Sequence, residues 1–123
     1  MTKLILELPI PLKALRPNGN DHNYWGKTKA KKMAKAYGLS VVREKVATSP
    51  FNPQAPLNIL YTYYPPSPRG RYLDDDNLIA SMKSYRDGIA AGLQMDDKGF
   101  ITHPPQHGPK EGNGKVIVEL WQL

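Results

Sequence analysis

The 123-residue chain contains no cysteine. Disulfides, zinc–thiolate centres and cysteine nucleophiles are therefore all excluded. Long hydrophobic runs are also missing. The apolar start MTKLILELPIPL is broken by Glu7 and Pro9, which leaves it too short to span a membrane and unlike a cleavable signal, so a cytoplasmic protein is expected. No glycine-rich phosphate loop, Ser/His/Asp motif, internal repeat or low-complexity tract is visible. His103 and His107 stand four apart, a spacing that could ligate a metal on a helix, but Pro104 and Pro105 forbid a helix there and a zinc site is discounted.

What is present indicates one globular domain. Forty per cent of the residues are hydrophobic, and a chain of this length can bury roughly two thirds of the surface it exposes when unfolded. Seventeen Lys and Arg against eleven Asp and Glu give a net charge of +6. Five of those acids form two clusters, so the remaining surface is more basic still. Such a surface suits a polyanion, although basic charge alone is weak support for one.

The twelve prolines fall in four groups, at 9–17, 50–56, 65–68 and 104–109, and these mark loops between five segments. Leu4 to Leu8 reads as a core strand. A turn-rich loop follows, carrying Asn18, Asn20, His22, Asn23 and Trp25 in a position suited to touching substrate, with His22 read as a loop histidine. Thr28 to about Ala47 has helical composition, with Ala30, Met33, Ala34, Tyr37, Val41 and Val46 as an inward face. Lys27, Lys29, Lys31, Lys32 and Lys35 crowd its first turns, where they oppose the helix dipole. They are candidates for phosphate contact, with a solvated face as the rival. Leu57 to Tyr64 reads as a strand. Gly99 to His103 and Lys115 to Leu120 read as two further strands, joined as an antiparallel hairpin by a long connection.

The chemistry concentrates between Arg71 and Asp97. Asp74, Asp75 and Asp76 are consecutive, and Asp96 and Asp97 form a second acidic pair. Three carboxylates side by side repel one another unless a cation sits among them, and a helix cap needs fewer. A hard ion such as Mg²⁺ takes a few carboxylates and completes its shell with water and phosphate, which is the chemistry of phosphodiester hydrolysis. In an extended segment, Asp74 and Asp76 share one side and Asp75 becomes the bystander. Leu78, Met82, Tyr85, Ile89 and Leu93 then form one helical stripe, with Asp76 and Asn77 at the N-cap. Asp76, Lys83 and Asp87 lie within about 40° of one another on the opposite side. Asp96 and Asp97 could join them only by tertiary folding. Arg69 and Arg71 could clamp a phosphodiester backbone or neutralise the aspartates. An EF-hand is excluded, because its required Gly and Glu positions hold Ile79 and Tyr85. The bland readings are an acidic helix start favoured by its dipole and a surface pair between Lys83 and Asp87.

At Asp74-x-Asp76-Asn77-Leu78, Lys83, Asp87-Gly88 and Asp96-Asp97 the sequence resembles the RusA-type Holliday-junction resolvases, endonucleases of phages and bacteria. The likeness is specific over residues 71–97 and loose over most of the chain. It implies that Asp74, Asp76 and Asp97 are catalytic and metal-binding, with Asp96 as a further candidate ligand, and that Lys83 assists. Some members carry that lysine closer to the motif, where this chain has Ala80. The resemblance also implies Mg²⁺, with Mn²⁺ as a substitute, cleavage of branched four-way DNA leaving ligatable ends, and a homodimer in a bacterial or phage-infected cell.

The element order gives an α+β domain with two main helices on one face of a small mixed sheet, in the order β-α-β-α-β-β. The expected activity is a Mg²⁺-dependent endonuclease making paired nicks, with Arg69, Arg71, Lys27, Lys29, Lys31 and Lys32 contacting DNA. Two rivals stand beside it. One is a non-catalytic DNA-binding module; the other is a general nuclease for flaps or linear duplex.

Overall fold

Alternating apolar residues make Lys3–Leu8 (β1) a strand with one buried face, Leu4, Leu6 and Leu8 pointing inward. The computed structural model that shows this describes residues 2–12, 15 and 24–123, leaving aside the side chains of Tyr24 and Trp25. Helix α1 (Tyr24–Lys45) follows, then β2 (Leu57–Tyr64), α2 (Asp75–Ser81) and α3 (Lys83–Gly92). A 3-10 turn at Asp97–Gly99 leads into β3 (Phe100–Thr102), β4 (Gln106–His107) and β5 (Lys115–Trp121). No helix among the described residues is long and apolar enough to cross a membrane.

The sheet is mixed, in the order β1-β5-β2-β3, with β4 also pairing β2. β5 runs antiparallel to both β1 and β2, whereas β3 and β4 run parallel to β2. The expected hairpin between the last two main strands is therefore absent. A parallel pair needs a long crossover, which α2 and α3 supply between β2 and β3. The β-branched strand β5 then fills the centre. Inward residues of β1, β2 and β5, among them Leu6, Ile59, Tyr61 and Val118, join Ala34, Val42, Leu78, Met82 and Ile89 from the helices in one core.

Two further expectations change. The stripe Leu78, Met82, Tyr85, Ile89 and Leu93 is buried throughout, but it belongs to two helices that meet at Met82. There the backbone N–H bonds both Leu78 and Ile79 carbonyls, tightening the turn as in a 3-10 helix. The element order thus gains a helix and the short strand β4. The N-cap is Asp74, with Asp75 and Asp76 in the first turn, two residues before the Asp76 that the spacing suggests.

On α1 the inward seam is Ala30, Ala34, Gly38 and Val42, while Met33 and Tyr37 are exposed. Close backbone approach explains this choice. A Cβ on Gly88 of α3 would collide with the Lys35 carbonyl, and one on Gly38 with the Tyr85 carbonyl. Small residues let the two helices touch, and the contact sets the α1 lysines beside α3.

Candidate functional site

The chain leaves β2, passes a turn at Pro66–Gly70 and enters α2 at Asp74. Asp74 is extended, with φ −60° and ψ 149°, and its side chain makes no capping bond. Asp75 and Asp76 occupy the first helical turn, where the helix dipole favours negative charge. Tyr72, Leu73, Asp74, Asp75, Asp76 and His107 line an open groove of about 830 Å³. Asp74 and Asp76 are exposed there and take no side-chain hydrogen bond or ion pair among the described residues. Asp75 does have a partner, since its Oδ1 lies 2.9 Å from His107 Nε2. The bystander of the alternation argument is thus tied to a histidine that the sequence placed in a loop.

The second acidic pair sits elsewhere. Asp97 lies beside Asp87, and Lys35, Asp87, Asp96 and Asp97 line a shallow groove of about 280 Å³. Burial pushes the Asp87 carboxyl above its ordinary range; the Lys83 charge opposes this, and a hydrogen bond to Asp97 with the Asp97 charge reinforces it. Arg86 ties the region to the sheet edge. It donates from Nη1 to Thr102 Oγ1 at 3.1 Å and from Nη2 to the Asp97 carbonyl at 3.1 Å. Its Nε stands 4.0 Å from Asp97 Oδ2, and its guanidinium packs 5.5 Å from the Phe100 ring centroid. Beneath it, the buried Tyr61 hydroxyl has no hydrogen-bond partner among the described residues, and burial raises its pKa against the pull of Arg86. Asp96 caps the 3-10 turn by accepting from the Lys98 N–H at 3.0 Å.

The predicted residues therefore fall into two places. Asp74 and Asp76 stand together at the start of α2, whereas Asp97 stands with Asp87. Asp76 lies on α2 and Asp87 on α3, on either side of the join at Met82. Lys83 lies between them, lining a cavity of about 390 Å³ with Lys31, Ala80, Ser84 and Asp87. Lys31 and Lys35 of α1 thus meet the Lys83–Asp87 line, while Lys27 is half-buried and Lys29 and Lys32 are exposed on the same helix. Arg69 and Arg71 are exposed on the segment leading into the groove, and the Arg71 carbonyl accepts from the Tyr63 hydroxyl at 3.4 Å. Asn18, Asn20, His22, Asn23 and the Trp25 side chain lie outside the described residues.

His107 and Arg86 escaped the sequence reading for different reasons. Only the parallel pairing of Tyr63 with His107 brings that histidine to α2. Arg86, next to Asp87, carried no motif signal. His103 is also placed, with Nε2 at 2.9 Å from Asn58 Oδ1 and its ring stacked on Trp121.

Among the described residues no group of three or more His, Asp or Glu could hold a metal ion. The unencumbered oxygen donors of Asp74 and Asp76 nevertheless fit Mg²⁺, which binds through one or two carboxylates and otherwise uses water and phosphate. No protein-family model matches the chain. A chain of Xylella fastidiosa (strain Temecula1 / ATCC 700964), described as an uncharacterized protein, is 36% identical over 117 residues, covering 94% of this chain and 74% of that one.

Proposed function

The chain belongs to one family with the Xylella fastidiosa protein, and for this member we propose a Mg²⁺-dependent endodeoxyribonuclease that resolves four-way DNA junctions, in the manner its resemblance to the RusA-type resolvases implies. The observation that carries the reading is the pair of carboxylates, Asp74 and Asp76, exposed and without a partner among the described residues, at the rim of an open groove in a chain of net charge +6. Carboxylates facing a polyanion repel it unless a cation lies between them. Asp74 and Asp76 would hold that ion. When bound, Mg²⁺ supplies Lewis-acid charge neutralisation and activates water for attack at phosphorus.

The other residues orient and hold the substrate. Arg69 and Arg71 precede the groove on the same segment and grip backbone phosphates on either side of the scissile one. Lys27, Lys29, Lys31 and Lys32 extend the basic track along α1. Lys83 lies a helical turn beyond Ala80 and stabilises charge developing on the phosphate. Asp97 lines a different groove from Asp74 and Asp76, and a second chain across the axis of a homodimer would bring it to the same ion. That dimer also supplies two equivalent sites for paired nicks.

The test is cleavage of a labelled four-way junction beside a linear duplex of the same sequence, with and without Mg²⁺ and with Mn²⁺ as a substitute. Paired nicks confined to the junction and dependent on the ion are expected. Binding without nicking would indicate a DNA-binding module, and equal cleavage of both substrates a general nuclease.

A further inference from the structure

We propose that His107 is the general base of the hydrolysis and that Asp75 is its positioning residue, an assignment that rests on the nuclease reading above. His107 sits on β4, where pairing with Tyr63 fixes its backbone. The following N–H, of Gly108, donates to the Tyr63 carbonyl at 2.9 Å, and the Gly108 carbonyl accepts from the Tyr72 hydroxyl at 2.9 Å. The imidazole stands edge-on to two rings, Tyr72 at 5.6 Å and Tyr63 at 6.4 Å between centroids. Asp75 engages Nε2 at 2.9 Å. An ionised carboxylate only accepts hydrogen bonds, so the contact puts a proton on Nε2, and the neutral form of the ring then has its lone pair on Nδ1. That nitrogen has no partner among the described residues.

A carboxylate that orients an imidazole and fixes its tautomer is the arrangement a general base requires. Here it lines the same groove as Asp74 and Asp76. In the hydrolytic step the oxygen of water forms the new bond to phosphorus and its proton passes to His107 Nδ1. The P–O3′ bond breaks, and the departing alkoxide takes a proton from solvent. No oxidant or further reactant is needed. The competing reading is a surface ion pair, which contributes little to stability and nothing to rate.

The experiment compares wild type, His107→Gln and Asp75→Asn for single-turnover cleavage of a four-way junction in Mg²⁺, for junction affinity and for melting temperature. It also reads the His107 tautomer by ¹⁵N NMR in the metal-free protein. His107→Gln is expected to lower the cleavage rate about 10²-fold at unchanged junction affinity, with partial rescue by added imidazole. Asp75→Asn is expected to give a smaller loss and to move His107 from the pure Nε2–H tautomer to a mixture. Wild-type cleavage by His107→Gln overturns the assignment and leaves the nuclease reading standing. If wild type does not nick at all, both fall. If His107→Gln melts early, Asp75→Asn decides, because its carboxylate is 54% exposed and an unchanged rate there overturns the proposal.

Discussion

The two acidic regions of this chain look alike in sequence and differ in the fold. At the start of α2, Asp74 and Asp76 are exposed and carry no internal partner among the described residues. At the crossing of α3 and β3, Asp97 is half-buried and engaged by Arg86, and Asp87 shares a hydrogen bond with it. Arg86 bonds the Asp97 backbone carbonyl, and its Nε stands 4.0 Å from the carboxylate, so it offsets the Asp97 charge through space without a hydrogen bond to the carboxylate oxygens. One region stands open within its own chain, while the other is held to the sheet edge through the Asp97 backbone, leaving its carboxylate to act across a dimer axis. Substitutions should separate them accordingly.

The largest effect is expected at the rim. Asp76→Asn should reduce Mg²⁺-dependent nicking by about 10³-fold or more while leaving melting temperature and junction binding unchanged. Mixing Asp76→Asn with Asp97→Asn protein sharpens the contrast. If Asp97 serves across a dimer axis, mixed dimers keep one intact site and regain single nicks. If all three aspartates act within one chain, both sites remain dead and the mixture stays inactive.

At the second region the dominant effect should be on folding. Arg86→Ala removes two hydrogen bonds, a cation–π contact and the charge facing Asp97, and should destabilise by about 2–4 kcal/mol in urea unfolding. The smallest effect is at Asp87. Its folded pKa lies above the ordinary 3.8, so the folded state binds more protons than the unfolded state over the interval between the two values. Stability therefore falls as pH rises through that interval. Asp87→Asn should raise the melting temperature of the metal-free protein at neutral pH and leave it unchanged below 3.8. An equal gain at both would mean that the carboxyl is not perturbed.

Much of this was legible in sequence wherever local physics decided the outcome. The strands β1, β2 and β5 follow from alternation and β-branched content, and the buried stripe from Leu78 to Leu93 follows from its spacing. The acidic rim was legible because three adjacent carboxylates exceed what a cap needs. What long-range pairing decides was not. The insertion of β5 between β1 and β2 depends on contacts from opposite ends of the chain. The inward seam of α1 follows from a close helix contact at Gly38 and Gly88, so small residues displaced the larger Met33 and Tyr37 that hydrophobicity favours. His107 faces Asp75 only because a two-residue strand pairs with the end of β2. That Asp97 and Asp76 line different grooves likewise follows from tertiary packing.

Paramagnetic broadening of backbone amides by Mn²⁺ in the ¹⁵N-labelled protein tells which of the two acidic regions takes the ion. Trace Mn²⁺ is expected to broaden the amides of Asp74 to Asn77 and of His107 first, and Asp76→Asn to abolish this. Broadening confined to Asp87 and Asp97 with the α2 start unaffected, or identical broadening in Asp76→Asn, would contradict an ion held by Asp74 and Asp76.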